Sequence, residues 1–184
     1  MQSTCHNDTF SHESRVADLA GLVAERLGLS MMEIANVRMA ALHHDIGKDM
    51  VPIEILDKPG KLTKEEFDVI KQHPLNGFEL LKQLEPENTL LHMVALQHHE
   101  RCDGSGYPYG LNGGQLLLES RIVAISDVYE ALRHVRTYKP AHSHETALKI
   151  MLQNPAHYDP VVLKTFLSIS EIDLEEIVKR NYQY

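Results

Sequence analysis

Five histidines and two aspartates stand out by type and spacing: His12, the pair His44-Asp45, His73, the pair His98-His99, and Asp127. Imidazole and carboxylate together suit divalent zinc, iron or manganese, and the cysteines Cys5 and Cys102 form no pair suited to a thiolate site. One carboxylate between two such ions, with a hydroxide bridging them, is a nucleophile for phosphoester displacement at neutral pH. A single inward histidine is more often a satisfied core residue than a ligand. Buried aspartates are harder to explain that way, because an ionised carboxylate without a partner is very costly to bury.

Helical periodicity supplies the elements that position these groups. Val16, Leu19, Leu22, Val23 and Leu27 predict a helix over residues 12–28, ending at Gly28, with His12 on its inward stripe. Ser30 can cap a second helix through Ile34, Val37 and Ala41, and His44 and Asp45 continue that stripe. The capping-box pattern from Thr63 to Glu66 opens a helix expected to end near His73-Pro74. A helix from about Glu87 to His99 carries His98 and His99 in phase with Leu91, Val94 and Ala95. Glu119 to about Arg133 reads as a central helix, apolar on both sides, with Asp127 inside it. Further helices fit after Ser143, Asp159 and Ser170, and no strand shows clean alternation. The expected fold is all-α, a multi-helix bundle around a buried polar centre.

Between these helices, residues 103–114 hold Gly104, Gly106, Gly110, Gly113 and Gly114, which is loop chemistry. The chain of 184 residues suits one domain, 1–184, with a core at about 9–159 and C-terminal helices over 160–184. A formal charge of -8 argues against binding a nucleic-acid polymer. No apolar run has membrane-spanning length and no secretory segment is evident, so a cytoplasmic location and no membrane partner are expected.

The ordered motifs carry a resemblance. HHDIGK at 43–48, VPIEILDKPGKLT at 51–63, KQHP at 71–74, HHERCDGSGYP at 98–108, RIVAISDVYEAL at 121–132 and RTYK at 136–139 are similar to those of HD-GYP domains. These are a subfamily of the HD metal-dependent phosphohydrolases, and the resemblance runs from about Thr9 to Asp159. It implies a phosphodiesterase that hydrolyses cyclic-di-GMP to linear pGpG, with onward cleavage to GMP left open. It implies two or three divalent ions, iron or manganese in particular, held by His12, His44, Asp45, His73, His98, His99 and Asp127, with Asp45 bridging. Lys48 then stabilises the phosphorane or the leaving oxygen. Tyr107 contacts guanine, and Arg136 and Lys139 hold substrate phosphate.

Three positions depart from the family pattern. Asp8 stands where three-metal members have glutamate, so it is the candidate ligand of a third ion. Glu130 replaces the usual aspartate, and Thr137 stands where proline is usual; both are expected to loosen or re-aim the substrate loop. They keep open a different cyclic dinucleotide or nucleotide as substrate, and a cyclic-di-GMP-binding module with little turnover. Receiver, sensor or other signalling proteins are the expected partners. The family's usual receiver or sensor domain is missing from the chain, which is either a stand-alone version or a fragment.

Overall fold

Local capping chemistry starts most of the helices in this computed structural model, which describes residues 4–134 and 141–180, with side chains from residue 11 onward. Ser30 and Glu33 form a reciprocal capping box at the start of α2 (Met31–Leu42), α1 being Thr4–Arg26. Thr63 and Glu66 do the same for α4 (Lys64–Ile70), which follows the one-turn α3 (Ile53–Leu56). Helix α5 (His73–Leu84) has Pro74 in its first turn, where a missing N–H is harmless. Asn88 caps α6 (Thr89–Gln97), and α7 is Leu118–Arg133. Ser143, Asp159 and Ser170 cap α8 (His144–Met151), α9 (Pro160–Leu167) and α10 (Glu171–Val178). Gly28 ends the first helical unit at a φ of 81°, a conformation glycine adopts without strain.

The described residues are all-helical, joined by turns, and contain no strand. The all-α expectation is therefore met. Helix α1 packs against α2, α7, α9 and α10; α6 packs against α2, α5 and α7. Their shared core holds Val16, Leu19, Val23, Val37, Val94, Ile122, Ile125, Tyr129 and Phe166. Among the described residues, no helix is long and apolar enough to cross a membrane.

Two elements differ from the sequence expectation. α2 stops at Leu42, so His44 and Asp45 lie just beyond it, at the entry to a 3-10 turn over Ile46–Met50. α6 stops at Gln97, leaving His98 as its C-cap and His99 outside. Helical phase placed these residues on the right side of the molecule, but they sit at helix ends rather than along helix faces.

The 3-10 turn presses on the start of α5, and Gly47 is what allows it. A Cβ at position 47 would stand 2.0 Å from the His73 carbonyl oxygen and 2.4 Å from the Gly77 nitrogen. Gly47→Ala is therefore expected to push apart the segments carrying Asp45 and His73 and to cost about 1–3 kcal/mol of stability. Gly114→Ala, whose new Cβ would meet only ordinary contact, is the control. Thermal denaturation of the two variants checks this.

Candidate metal centre

Three histidines are aimed by the same device. Nδ1 of His44 donates to the Ala41 carbonyl (2.6 Å), that of His73 to Ile70 (2.7 Å), and that of His98 to Ala95 (2.8 Å). Each acceptor is a last-turn carbonyl of α2, α4 or α6, one of the groups a helix end leaves without an intrahelical donor. A carbonyl can only accept, so the proton is on Nδ1 and the Nε2 lone pair points inward. His12, on α1, reaches the same tautomer differently: its Nδ1 donates to Glu130 Oε2 on α7 (2.5 Å).

These lone pairs converge on Asp45. Its Oδ1 lies 3.3 Å from His73 Nε2 and 3.5 Å from His98 Nε2. Its Oδ2 lies 3.4 Å from His44 Nε2 and 3.7 Å from His12 Nε2, and pairs with the Lys48 ammonium. Asp127 Oδ1 stands 3.4 Å from His12 Nε2 and 4.0 Å from His44 Nε2. Two sets of donor atoms result: Asp45, His73, His98 and His99, and His12, His44 and Asp127. The structure thus brings together all seven histidines and aspartates singled out in the sequence.

The donor atoms fit divalent ions. Buried His12 Nε2, His44 Nε2 and Asp45 Oδ1 have no hydrogen-bond partner. His73 Nε2 and His98 Nε2 face each other at 3.1 Å although both nitrogens carry lone pairs. Donors about 2.1 Å from a shared ion stand roughly 3–3.4 Å apart, close to the separations around Asp45. A cation between them removes the lone-pair conflict and satisfies the orphaned atoms together.

Without metal, the electrostatics are lopsided. Burial alone would lower the His12 pKa, but the Asp127 and Glu130 carboxylates outweigh it and raise it to about 9. Burial lowers that of His98 to about 4, against a raising contribution from Asp45, while His44 and His73 push it further down. Burial works against ionisation at both aspartates, yet Lys48 and the His44 and His73 imidazoles hold Asp45 well below the usual carboxylate range, and His12, His44 and His99 do the same for Asp127.

Tyr107 lies against this centre, its ring stacked on His99 with centroids 4.7 Å apart and planes 23° from parallel. The loop that carries it is pinned by Glu100, which is 1% exposed and accepts from the backbone N–H of Tyr109 (2.7 Å) and Leu111 (2.9 Å). Gly106 fits because a Cβ there would lie 2.4 Å from the Glu100 Cα. Sequence reasoning missed this anchor; its only signal was a glutamate directly following two candidate ligands. Arg136, Thr137 and Lys139 lie outside the described residues, as does the side chain of Asp8. A depression of about 620 Å³ lined by Arg133, His144, Glu171 and Glu175 shares no residue with the donor sets and offers no comparable chemistry.

The loop that Glu130 is expected to loosen or re-aim, residues 136–139, lies outside the described residues, but the contacts of Glu130 itself are visible. It is buried, 1% exposed, and accepts from both His12 Nδ1 and Arg15 Nε (2.7 Å), so it orients a donor of the metal centre.

The family model described as HD domain matches residues 5–162. The chain belongs to the HD domain family. The HD-GYP resemblance drawn from its motifs stands as well. It is 45% identical over 167 residues to the cyclic di-GMP phosphodiesterase response regulator RpfG of Xanthomonas campestris, covering 89% of this chain and 43% of that protein. It is 41% identical over 146 residues to the 3'3'-cGAMP-specific phosphodiesterase 3 of Vibrio cholerae, covering 79% of this chain and 32% of that protein. The chain thus spans less than half the length of these relatives. In fold it is similar to Bd1817, an HDG"Y"P protein of Bdellovibrio bacteriovorus, with a TM-score of 0.72 at 22% identity over 94% of this chain and 53% of that one.

Glu130→Gln keeps the shape but loses the charge that favours the Nδ1 proton of His12. It is expected to weaken metal binding about 10–100-fold. Glu130→Ala also strands the buried Arg15 and should cost about 3–5 kcal/mol of stability. Metal titration and chemical denaturation separate the two effects.

Proposed function

We propose that this chain is a metal-dependent phosphodiesterase that hydrolyses cyclic-di-GMP to linear pGpG. The observation that carries the reading is Asp45, whose two carboxylate oxygens face two different groups of imidazole lone pairs. Asp45, His73, His98 and His99 would hold one divalent ion and His12, His44 and Asp127 a second, with Asp45 facing both sets. Bound divalent ions supply an activated water nucleophile and neutralise charge on the phosphoryl oxygens.

The chain's own residues do the rest. The Ala41, Ile70 and Ala95 carbonyls and Glu130 hold protons on Nδ1 of His44, His73, His98 and His12, so that Nε2 of these four is available to a metal. Lys48 places an ammonium beside Asp45, where it can stabilise charge developing on phosphorus or on the leaving oxygen. Tyr107 offers a ring face for a nucleobase beside the metal centre. Arg136 and Lys139 act as the phosphate clamp, and Asp8 is the ligand available to a third ion. The donor set is rich in nitrogen and oxygen and lacks thiolate, consistent with iron or manganese. Receiver, sensor or other signalling proteins are the partners that accompany this reading. A second substrate, 3'3'-cGAMP, is favoured by the resemblance to the Vibrio cholerae enzyme named for it.

Metal-reconstituted protein is expected to convert cyclic-di-GMP to pGpG, followed by chromatography. Asp45→Asn should lose most of its metal, read by elemental analysis, and at least about a hundredfold in turnover. Wild-type protein that binds metal but leaves cyclic-di-GMP intact, or an Asp45→Asn variant as active as wild type, would overturn the proposal.

A further inference from the structure

Beside Tyr107, Phe67 of α4 and Lys71, which caps the end of that helix, lie one turn apart, and the metal centre uses neither. Phe67 is 43% exposed, outside the apolar core. Lys71 Nζ lies 4.9 Å from the centre of the Phe67 ring and 5.9 Å from that of Tyr107, and 3.5 Å from Asp68 Oδ1. A cation at the end of α4 is favourable to the helix in any case. That does not account for its position near both an exposed ring and a ring stacked on a candidate metal ligand. Two aromatic surfaces with an ammonium close to both form a recognition surface for a flat, polar, electron-rich group.

We infer that Phe67 and Lys71 belong to the substrate cleft, and that Lys71 selects guanine over adenine. The inference rests on the cyclic-dinucleotide reading of the metal centre. With a phosphodiester at that centre, the attached nucleoside comes within reach of the aromatic surface beside His99. Guanine presents O6 and N7 as neighbouring acceptors, whereas adenine presents an amino donor in place of O6. An ammonium has three donors and no acceptor, so it rewards the first pattern and opposes the second. Phe67 supports the lysine stem and adds a stacking face. Lys71 is thus a specificity-determining residue, separate from the groups that hold metal.

The test is steady-state turnover of cyclic-di-GMP, 3'3'-cGAMP and cyclic-di-AMP by metal-loaded wild type, Lys71→Met, Lys71→Gln and Lys71→Arg. Lys71→Met and Lys71→Gln are expected to raise KM for cyclic-di-GMP about tenfold. Their kcat and metal content should stay near wild type, and the preference for guanine should flatten. Lys71→Arg should keep that preference, because a guanidinium also donates to O6 and N7. An equal rise in KM on all three substrates, or no change on any, overturns the inference and leaves the phosphodiesterase reading intact. Wild-type protein that turns over none of the three overturns both.

Discussion

Burial of one ionised carboxylate is the constraint on which the rest of the structure depends. Asp45 is 3% exposed, and its oxygens are committed in two directions, to His73 and His98 on one side and to His44, His12 and Lys48 on the other. A charge so placed is tolerable only if cations surround it in a fixed geometry. Divalent ions would meet that requirement, and holding them calls for imidazoles whose lone pairs point inward, which in turn need fixed tautomers. The helix ends meet this need. A last-turn carbonyl lacks an intrahelical donor, so an imidazole N–H placed three residues further on satisfies it and is oriented by it. One hydrogen bond ends a helix and aims a ligand, and this occurs at Ala41, Ile70 and Ala95.

The same device joins the donor cluster to the aromatic ring beside it. His98, His99 and Glu100 are consecutive at the end of α6, yet they do different work. His98 turns its lone pair to Asp45, His99 offers a donor while stacking on Tyr107, and Glu100 ties down the loop that carries Tyr107. Hydrogen bonds from backbone N–H to a buried carboxylate are charge-assisted and strong. The position of the Tyr107 ring relative to the metal centre is therefore set through three adjacent residues rather than through a long path across the fold.

Much of this was legible in the sequence because its determinants are local. The caps at Ser30, Thr63, Ser143, Asp159 and Ser170 depend on neighbours within three residues, and all five open helices. Helical phase placed the donors inward. It could not show that α2 and α6 stop short of His44 and His99, since a stripe continues on paper where a chain has already turned. Glu130 was opaque for a different reason. Its partners His12 and Arg15 lie 118 and 115 positions away, and only packing of α1 against α7 makes the pairing visible. Glu100 was opaque because its partners are backbone amides, which every residue other than proline possesses.

The charge of the whole chain sharpens what the site must do. A formal charge of -8 opposes an anionic nucleotide at long range. At physiological ionic strength such fields fade over about 8 Å, so the distant acidic residues contribute little once the substrate arrives. What counts is the charge within that radius, which comes from the ions the donor sets can hold and from lysines such as Lys48. A site built this way cannot draw its ligand from afar by surface potential. Affinity has to come from contacts made after arrival, by groups on phosphate and by rings on bases. This is why a chain of formal charge -8 can suit a small cyclic dinucleotide while being poorly suited to a polymer carrying the same phosphodiester.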